Sequence, residues 1–135
     1  ENLLFASKRL EDKQLRLNVE AINTQDIPGF LISTPDQVAE LIEELPTGNI
    51  YLQYDIYHMH IMGEDIPHSL QKYMPIIGHI QIADYPGRHE PGTGEIDFPC
   101  ILRELDRLGY TRWVALEYNP RKATESGLGW LTALS

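Results

Sequence analysis

The sequence is short of positive charge: 11 Lys and Arg face 20 Asp and Glu, a net charge of −9 over 135 residues. A nucleic-acid groove needs clustered Lys and Arg to displace phosphate counterions, so that class of partner is excluded. There is one cysteine, Cys100. It rules out an internal disulfide and a cysteine-rich zinc site, and fits a reducing compartment such as the cytoplasm. No apolar run approaches the roughly 20 residues that span a bilayer, so no membrane partner is expected, and the start lacks a signal-peptide pattern. Gly92-Thr93-Gly94 is not followed by the Lys-Ser/Thr of a phosphate-binding loop, which removes a nucleotide reading. A starting Met and a helix cap are also missing before a helical stretch at Glu1 to Leu10, and a fragment is therefore expected.

What is present is ordinary globular material, 42% hydrophobic and able to bury one core. Leu15 to Ile22 alternates apolar and polar residues, the period of a strand. Thr34-Pro35-Asp36-Gln37 has capping-box spacing with proline at the first helical position. Val38, Leu41, Ile42 and Leu45 then recur at helical spacing until Pro46 and Gly48. Three more strands are predicted at Ile50 to Ile56, Ile76 to Ala83 and Arg112 to Tyr118, with helices near Asp65 to Met74, after Asp97, and around Thr124 to Leu134. Gly109 is placed to stop the third of these four helices in a left-handed conformation.

Strand and helix alternating at roughly 30-residue spacing imply parallel strands joined by right-handed crossovers. Four such units fit a doubly wound sheet or half of an eight-stranded barrel, which takes about 250 residues in full. The expected fold is thus α/β, with residues 1–135 forming one partial domain and no internal boundary.

One face of the four strands is apolar. The other carries Glu20 with Asn18 and Arg16, Asp55 with Gln53 and Tyr51, Gln81 with His79, and Glu117 with Ala115 and Trp113. Parallel sheets are covered on both sides and normally read as hydrophobic throughout. An unpaired buried carboxylate costs several kcal/mol, and a metal ion removes that cost. The bland alternative is a face that simply meets water. Against it, Glu20, Asp55, Gln81 and Glu117 follow one another at 35, 26 and 36 residues, one strand–helix repeat each. Their oxygen donors suit Mg²⁺ or Mn²⁺ better than zinc. Such a set polarises adjacent carbonyl and hydroxyl oxygens and supports proton transfer through an enediolate. Glu20 and Glu117, from opposite ends of the strand set, are the natural acid–base pair.

Val19-Glu20-Ala21-Ile22-Asn23, Gln53-Tyr54-Asp55-Ile56-Tyr57-His58 and His79-Ile80-Gln81-Ile82-Ala83-Asp84 resemble the hydroxypyruvate isomerase family. So do Pro86 to Ile96 and Leu116-Glu117-Tyr118, and that family belongs with the xylose-isomerase-like barrels. The resemblance implies the C-terminal half of such a barrel and interconversion of hydroxypyruvate with tartronate semialdehyde through an enediol. It implies metal ligands at Glu20, Asp55, Gln81 and Glu117, and proton-transferring glutamates at Glu20 and Glu117. Isomerisation of a longer oxo-acid, an oxo-tetronate, stays open as an alternative.

His58 follows the Asp55 strand end and is read as a donor to a substrate oxygen, or as a plain loop histidine. Arg88, in the Gly- and Pro-rich stretch Asp84 to Ile96, is the candidate contact for a substrate carboxylate; a solvated connection is the alternative. His60 and His68 read as surface residues, His79 as either a partner of Gln81 or core packing, and Cys100 as a packed thiol. Phosphodiester cleavage would need a His-rich zinc cluster and a basic surface, which are absent. A third reading is a catalytically incomplete piece that self-associates, since a half-barrel has open edges and would form a homo-oligomer.

Overall fold

The structure, a computed structural model, describes residues 1–133. Helix α1 (Asn2–Glu11) leads into strand β1 (Leu17–Glu20), followed by α2 (Pro35–Glu44) and β2 (Ile50–Asp55). Next come the short α3 (Ile56–Ile61), α4 (Ile66–Tyr73) and β3 (Ile77–Ile82). Helix α5 (Phe98–Arg107), β4 (Val114–Leu116), a 3-10 turn (Thr124–Gly127) and α6 (Trp130–Ala133) complete the chain. The strands lie in sequence order in one sheet, every neighbour parallel. This is the parallel α/β arrangement expected from the alternation of elements, and its sequential strand order matches the half-barrel that the resemblance implies.

The helix starts are fixed by side chains. Thr34 and Gln37 form the anticipated reciprocal capping box at α2. Asp65 and Asp97 cap α4 and α5 by accepting from the N–H groups of His68 and Cys100. Gly109, at φ 71°, follows α5 in the left-handed region.

Several boundaries differ from the sequence reading; strand β4, for one, covers only Val114–Leu116 of the predicted Arg112 to Tyr118. Ile56 starts a helix instead of ending a strand, because the Asp55 carboxylate accepts from Tyr57 N–H and turns the chain at once. Strand β1 stops at Glu20, and Ile22 N–H turns away to the carbonyl of Ile32. The predicted last helix is split into the 3-10 turn and α6, and its final residue, Leu134, lies outside the described residues.

The apolar face of the sheet supplies Leu52, Tyr54, Ile77, Ile80 and Ile82 to one buried cluster with Val38, Leu70, Phe98, Ile101 and Leu105 from the helices. Each such side chain contributes about 1.5–3 kcal/mol on burial. The opposite face is half-buried along Asn18, Glu20, Tyr51, Gln53, His79 and Gln81, with Asp55 fully buried. Below the strand ends Tyr51 packs between Arg16 and Arg112, 5.2 and 5.5 Å from its ring centre.

A β-bulge at Gly78 sets which residues reach that face. Leu52 pairs with Ile77, but Gln53 pairs with His79, so Gly78 is the extra residue. Ile77 therefore joins the buried core while His79 and Gln81 sit on the polar face, although Ile77 and His79 are two positions apart and would share a face in a regular strand. A Cβ at Gly78 would collide with Asn18 Oδ1 and lie 2.6 Å from Tyr51 Cβ.

Gly78→Ala is expected to destabilise the chain by about 1–3 kcal/mol through this overpacking. Urea titration reads it as a lower midpoint at unchanged slope; an unchanged midpoint would show that the bulge has room to spare.

Candidate active site at the strand ends

Glu20 closes β1, Asp55 closes β2, Gln81 lies near the end of β3, and Glu117 directly follows β4. Parallel pairing puts these ends at one edge of the sheet. Asp55 is level with Gln81, and Glu20 with Gln53.

The side-chain amide of Gln53 ties two of them together. Its nitrogen donates to Glu20 Oε2 at 2.9 Å and to Gln81 Oε1 at 2.5 Å. The opposite pair is joined by Arg88, whose Nη2 donates to Asp55 Oδ2 at 3.2 Å and to Glu117 Oε2 at 2.5 Å. Arg88 also stands over the Tyr57 ring, 5.0 Å from its centre. His58, in the first turn of α3, holds Nε2 3.8 Å from Glu20 Oε1 and 3.7 Å from Asp55 Oδ2. All six residues singled out from sequence thus converge on one place: Glu20, Asp55, His58, Gln81, Arg88 and Glu117.

The loop that delivers Arg88 is pinned by Asp84. That carboxylate is fully buried and accepts from the N–H groups of Tyr85, Gly92, Gly94 and Ile96. Gly92 and Gly94 thus serve as backbone donors inside the loop. Arg88 has φ 55°, rare outside glycine, and such a residue costs on the order of 1–3 kcal/mol that its surroundings must hold. Here the Asp55 and Glu117 contacts do so. His89 points elsewhere, its Nδ1 2.7 Å from the Asn119 carbonyl.

Burial dominates the electrostatics. Desolvation, with help from the Glu20 charge, pushes the Asp55 carboxyl up to about 7 against the pull of Arg88. Glu20 is likewise raised, first by burial and then by the negative Glu117, with the Gln53 hydrogen bond opposing. Burial, followed by the positive Arg88, lowers His58 to about 4, so its ring is neutral at physiological pH.

The donor set fits a cation. Glu20 Oε1 is buried with no hydrogen-bond partner, and Glu20, Asp55 and His58 bring ligand atoms within 4.8 Å of one another. Gln53 ties Gln81 Oε1 to Glu20, and Arg88 ties the Glu117 carboxylate to Asp55, while the Glu117 side chain itself is exposed.

A family model described as "Xylose isomerase-like TIM barrel" matches residues 1–134. The chain belongs to the xylose isomerase-like TIM barrel family. Within that family it is 40% identical over 131 residues to a hydroxypyruvate isomerase of Escherichia coli, spanning 97% of this chain and 51% of that protein. A 2-oxo-tetronate isomerase of Cupriavidus necator is also 40% identical, across 97% of this chain and 50% of the relative. A Brucella melitensis structure described as AP endonuclease, family 2, superposes with a TM-score of 0.93 at 36% identity, covering 98% of this chain and 51% of that one. The chain therefore spans about half the length of the relatives it matches. In xylose isomerase-like terms, the four strands described above are half of the eight in a barrel.

Sequence reasoning missed two contributors. Gln53 was placed on the polar face but given no task, and Asn23 was quoted in a motif without one. Asn23 is fully buried, with its Nδ2 2.6 Å from His58 Nδ1. An Asn just past a strand end, where its side chain can accept from the N–H groups of the turn that follows, was the available signal.

The raised Asp55 sets a pH dependence. A carboxyl held at about 7 in the fold but 3.8 when free favours folding in its neutral form. Stability from it is fully present below about 4 and is lost as the pH rises through about 7. Thermal melts should show that loss, and Asp55→Asn should flatten the slope. A slope identical in Asp55→Asn would remove Asp55 as its source.

Proposed function

We propose that the chain carries the metal-holding and proton-transferring half of an isomerase that interconverts hydroxypyruvate and 2-hydroxy-3-oxopropanoate. One observation supports the reading: Glu20 ends one edge strand and Glu117 follows the other, and Gln53 and Arg88 link them to Gln81 and Asp55 on the strands between. The names of the 40%-identical relatives support the substrate class.

Glu20, Asp55, Gln81 and Glu117 would hold Mg²⁺ or Mn²⁺, since carboxylate and amide oxygens are hard ligands. Once bound, the ion supplies Lewis acidity to the carbonyl and hydroxyl oxygens of the substrate. Glu20 takes the proton from C3 of hydroxypyruvate, and its burial, which raises its proton affinity, strengthens it as a base. Passage of the C3 hydroxyl proton to the C2 oxygen and delivery of a proton from Glu117 to C2 complete the exchange of ketone for aldehyde. His58 donates from Nε2 to a substrate oxygen, and Arg88 uses its remaining N–H groups on the substrate carboxylate.

A 2-oxo-tetronate substrate is the second reading, favoured by the equally similar Cupriavidus necator relative. Both substrates present the same hydroxycarbonyl next to a carboxylate, so the residues act identically. Phosphodiester cleavage finds little support: the cluster contains one histidine, and the net charge is −9. No helix among the described residues is long and apolar enough to cross a membrane. A cytoplasmic setting fits the single cysteine.

The test follows hydroxypyruvate and a 2-oxo-tetronate by proton NMR in heavy water with Mg²⁺ or Mn²⁺. Glu20→Gln and Glu117→Gln should each lower deuterium uptake by about 10²–10⁴-fold while leaving the fold intact. Uptake that is no faster than in Glu20→Gln, for either substrate at saturating metal, sinks the assignment of catalysis to this chain.

A further inference from the structure

His58 meets the site with one nitrogen, and what lies behind the other decides what it can do there. Nδ1 faces Asn23, 2.6 Å from the amide Nδ2 and 3.4 Å from the backbone nitrogen. The backbone N–H can only donate. The amide orientation is fixed as well, because Asn23 Oδ1 is occupied as an acceptor, taking the N–H groups of Gln25 at 3.1 Å and Asp26 at 2.7 Å. Nδ2 therefore points the other way and spends its two hydrogens on His58 Nδ1 and on Asp26 Oδ2 at 3.0 Å. Asp26 is itself held by the Tyr57 hydroxyl at 2.9 Å. Both Asn23 and His58 are almost completely buried, so water does not compete for these contacts.

We propose that Asn23 is a positioning residue that locks His58 in the Nε2–H tautomer, making it a hydrogen-bond donor toward substrate and keeping it out of the metal's ligand set. The inference rests on the functional reading above for the donor's purpose, but the tautomer itself follows from Asn23 alone. Two donors on Nδ1 require a lone pair there, so the ring proton resides on Nε2. A nitrogen that carries a proton has no lone pair for a metal, and histidine ligands ordinarily donate their other N–H to an oxygen acceptor. Here the polarity of that second contact is reversed. The close grouping of Glu20, Asp55 and His58 is therefore two carboxylate ligands beside a donor, not a three-ligand cation site. The same device leaves an all-oxygen ligand set, which selects hard ions over imidazole-preferring ones.

The proposal is tested by proton–nitrogen correlation spectra of the chain with ¹⁵N-labelled histidine, His58 being assigned by its loss in His58→Gln. In the wild type Nδ1 should be of the unprotonated type and Nε2 of the protonated type at neutral pH. Asn23→Asp keeps the acceptor for Gln25 and Asp26 but offers His58 an acceptor in place of a donor, so Nδ1 should become protonated. With Nε2 then available, the Co²⁺-to-Mn²⁺ affinity ratio by calorimetry should rise about tenfold. A protonated Nδ1 in the wild type overturns the proposal without need of any variant. So does an Asn23→Asp chain whose Nδ1 stays unprotonated or whose affinity ratio is unchanged. These readouts are independent of turnover: a chain with the stated tautomers and no isomerase activity would defeat the functional reading alone.

Discussion

The site is organised around a carboxylate that has been taken out of water. Asp55 is 1% exposed and lies beside Glu20 and Glu117, which carry the same sign. Left alone, such a group takes up a proton, and its pKa of about 7 records how far the balance has moved. Everything nearby answers that constraint. Arg88 reaches in from its loop to Asp55 and Glu117, held in a backbone conformation that few non-glycine residues adopt. Gln53 takes one oxygen of Glu20 and the oxygen of Gln81, leaving Glu20 Oε1 without a partner. Asp55 itself spends its other oxygen on Tyr57 N–H, and so ends the strand that positions it.

The neutral groups matter as much as the charged ones. Neither Gln53 nor Asn23 adds charge, yet each decides which atoms of its neighbours face the shared space. An amide bears donors and an acceptor on one planar group, so fixing one end commits the other. In Asn23 the commitment comes from two backbone N–H groups of the turn that follows β1. A local turn is thereby converted into a statement about the histidine on the next unit. The same economy governs Asp84, whose four backbone contacts make a Gly-rich loop definite enough to carry Arg88.

How much of this was legible beforehand depended on the range of the interactions. Thr34, Asp65, Asp97 and Gly109 act on residues within a turn of themselves, and their roles could be read from spacing. The four ligand candidates were readable too, because a carboxylate or amide on an otherwise buried parallel strand conflicts with its surroundings. The short α3 was not: Asp55 was taken as the end of a longer strand, and its second use as a helix cap has no signal apart from position. The bulge at Gly78 was equally hidden, since it shows only when Leu52 and Gln53 are matched to partners on another strand.

The sequence by itself determined the alternation of strands and helices, the parallel sheet, and the placing of Glu20, Asp55, Gln81 and Glu117 at one end of it. Those are consequences of period and of the free energy of burying charge, and both are properties of the chain read in order. Only the tertiary structure decided the pairings: Gln53 with Glu20 and Gln81, Arg88 with Asp55 and Glu117, Asn23 with His58. These contacts join residues 28 to 35 positions apart. Their direction depends on strand register and on the orientation of single amide groups, quantities fixed by packing and absent from any local pattern.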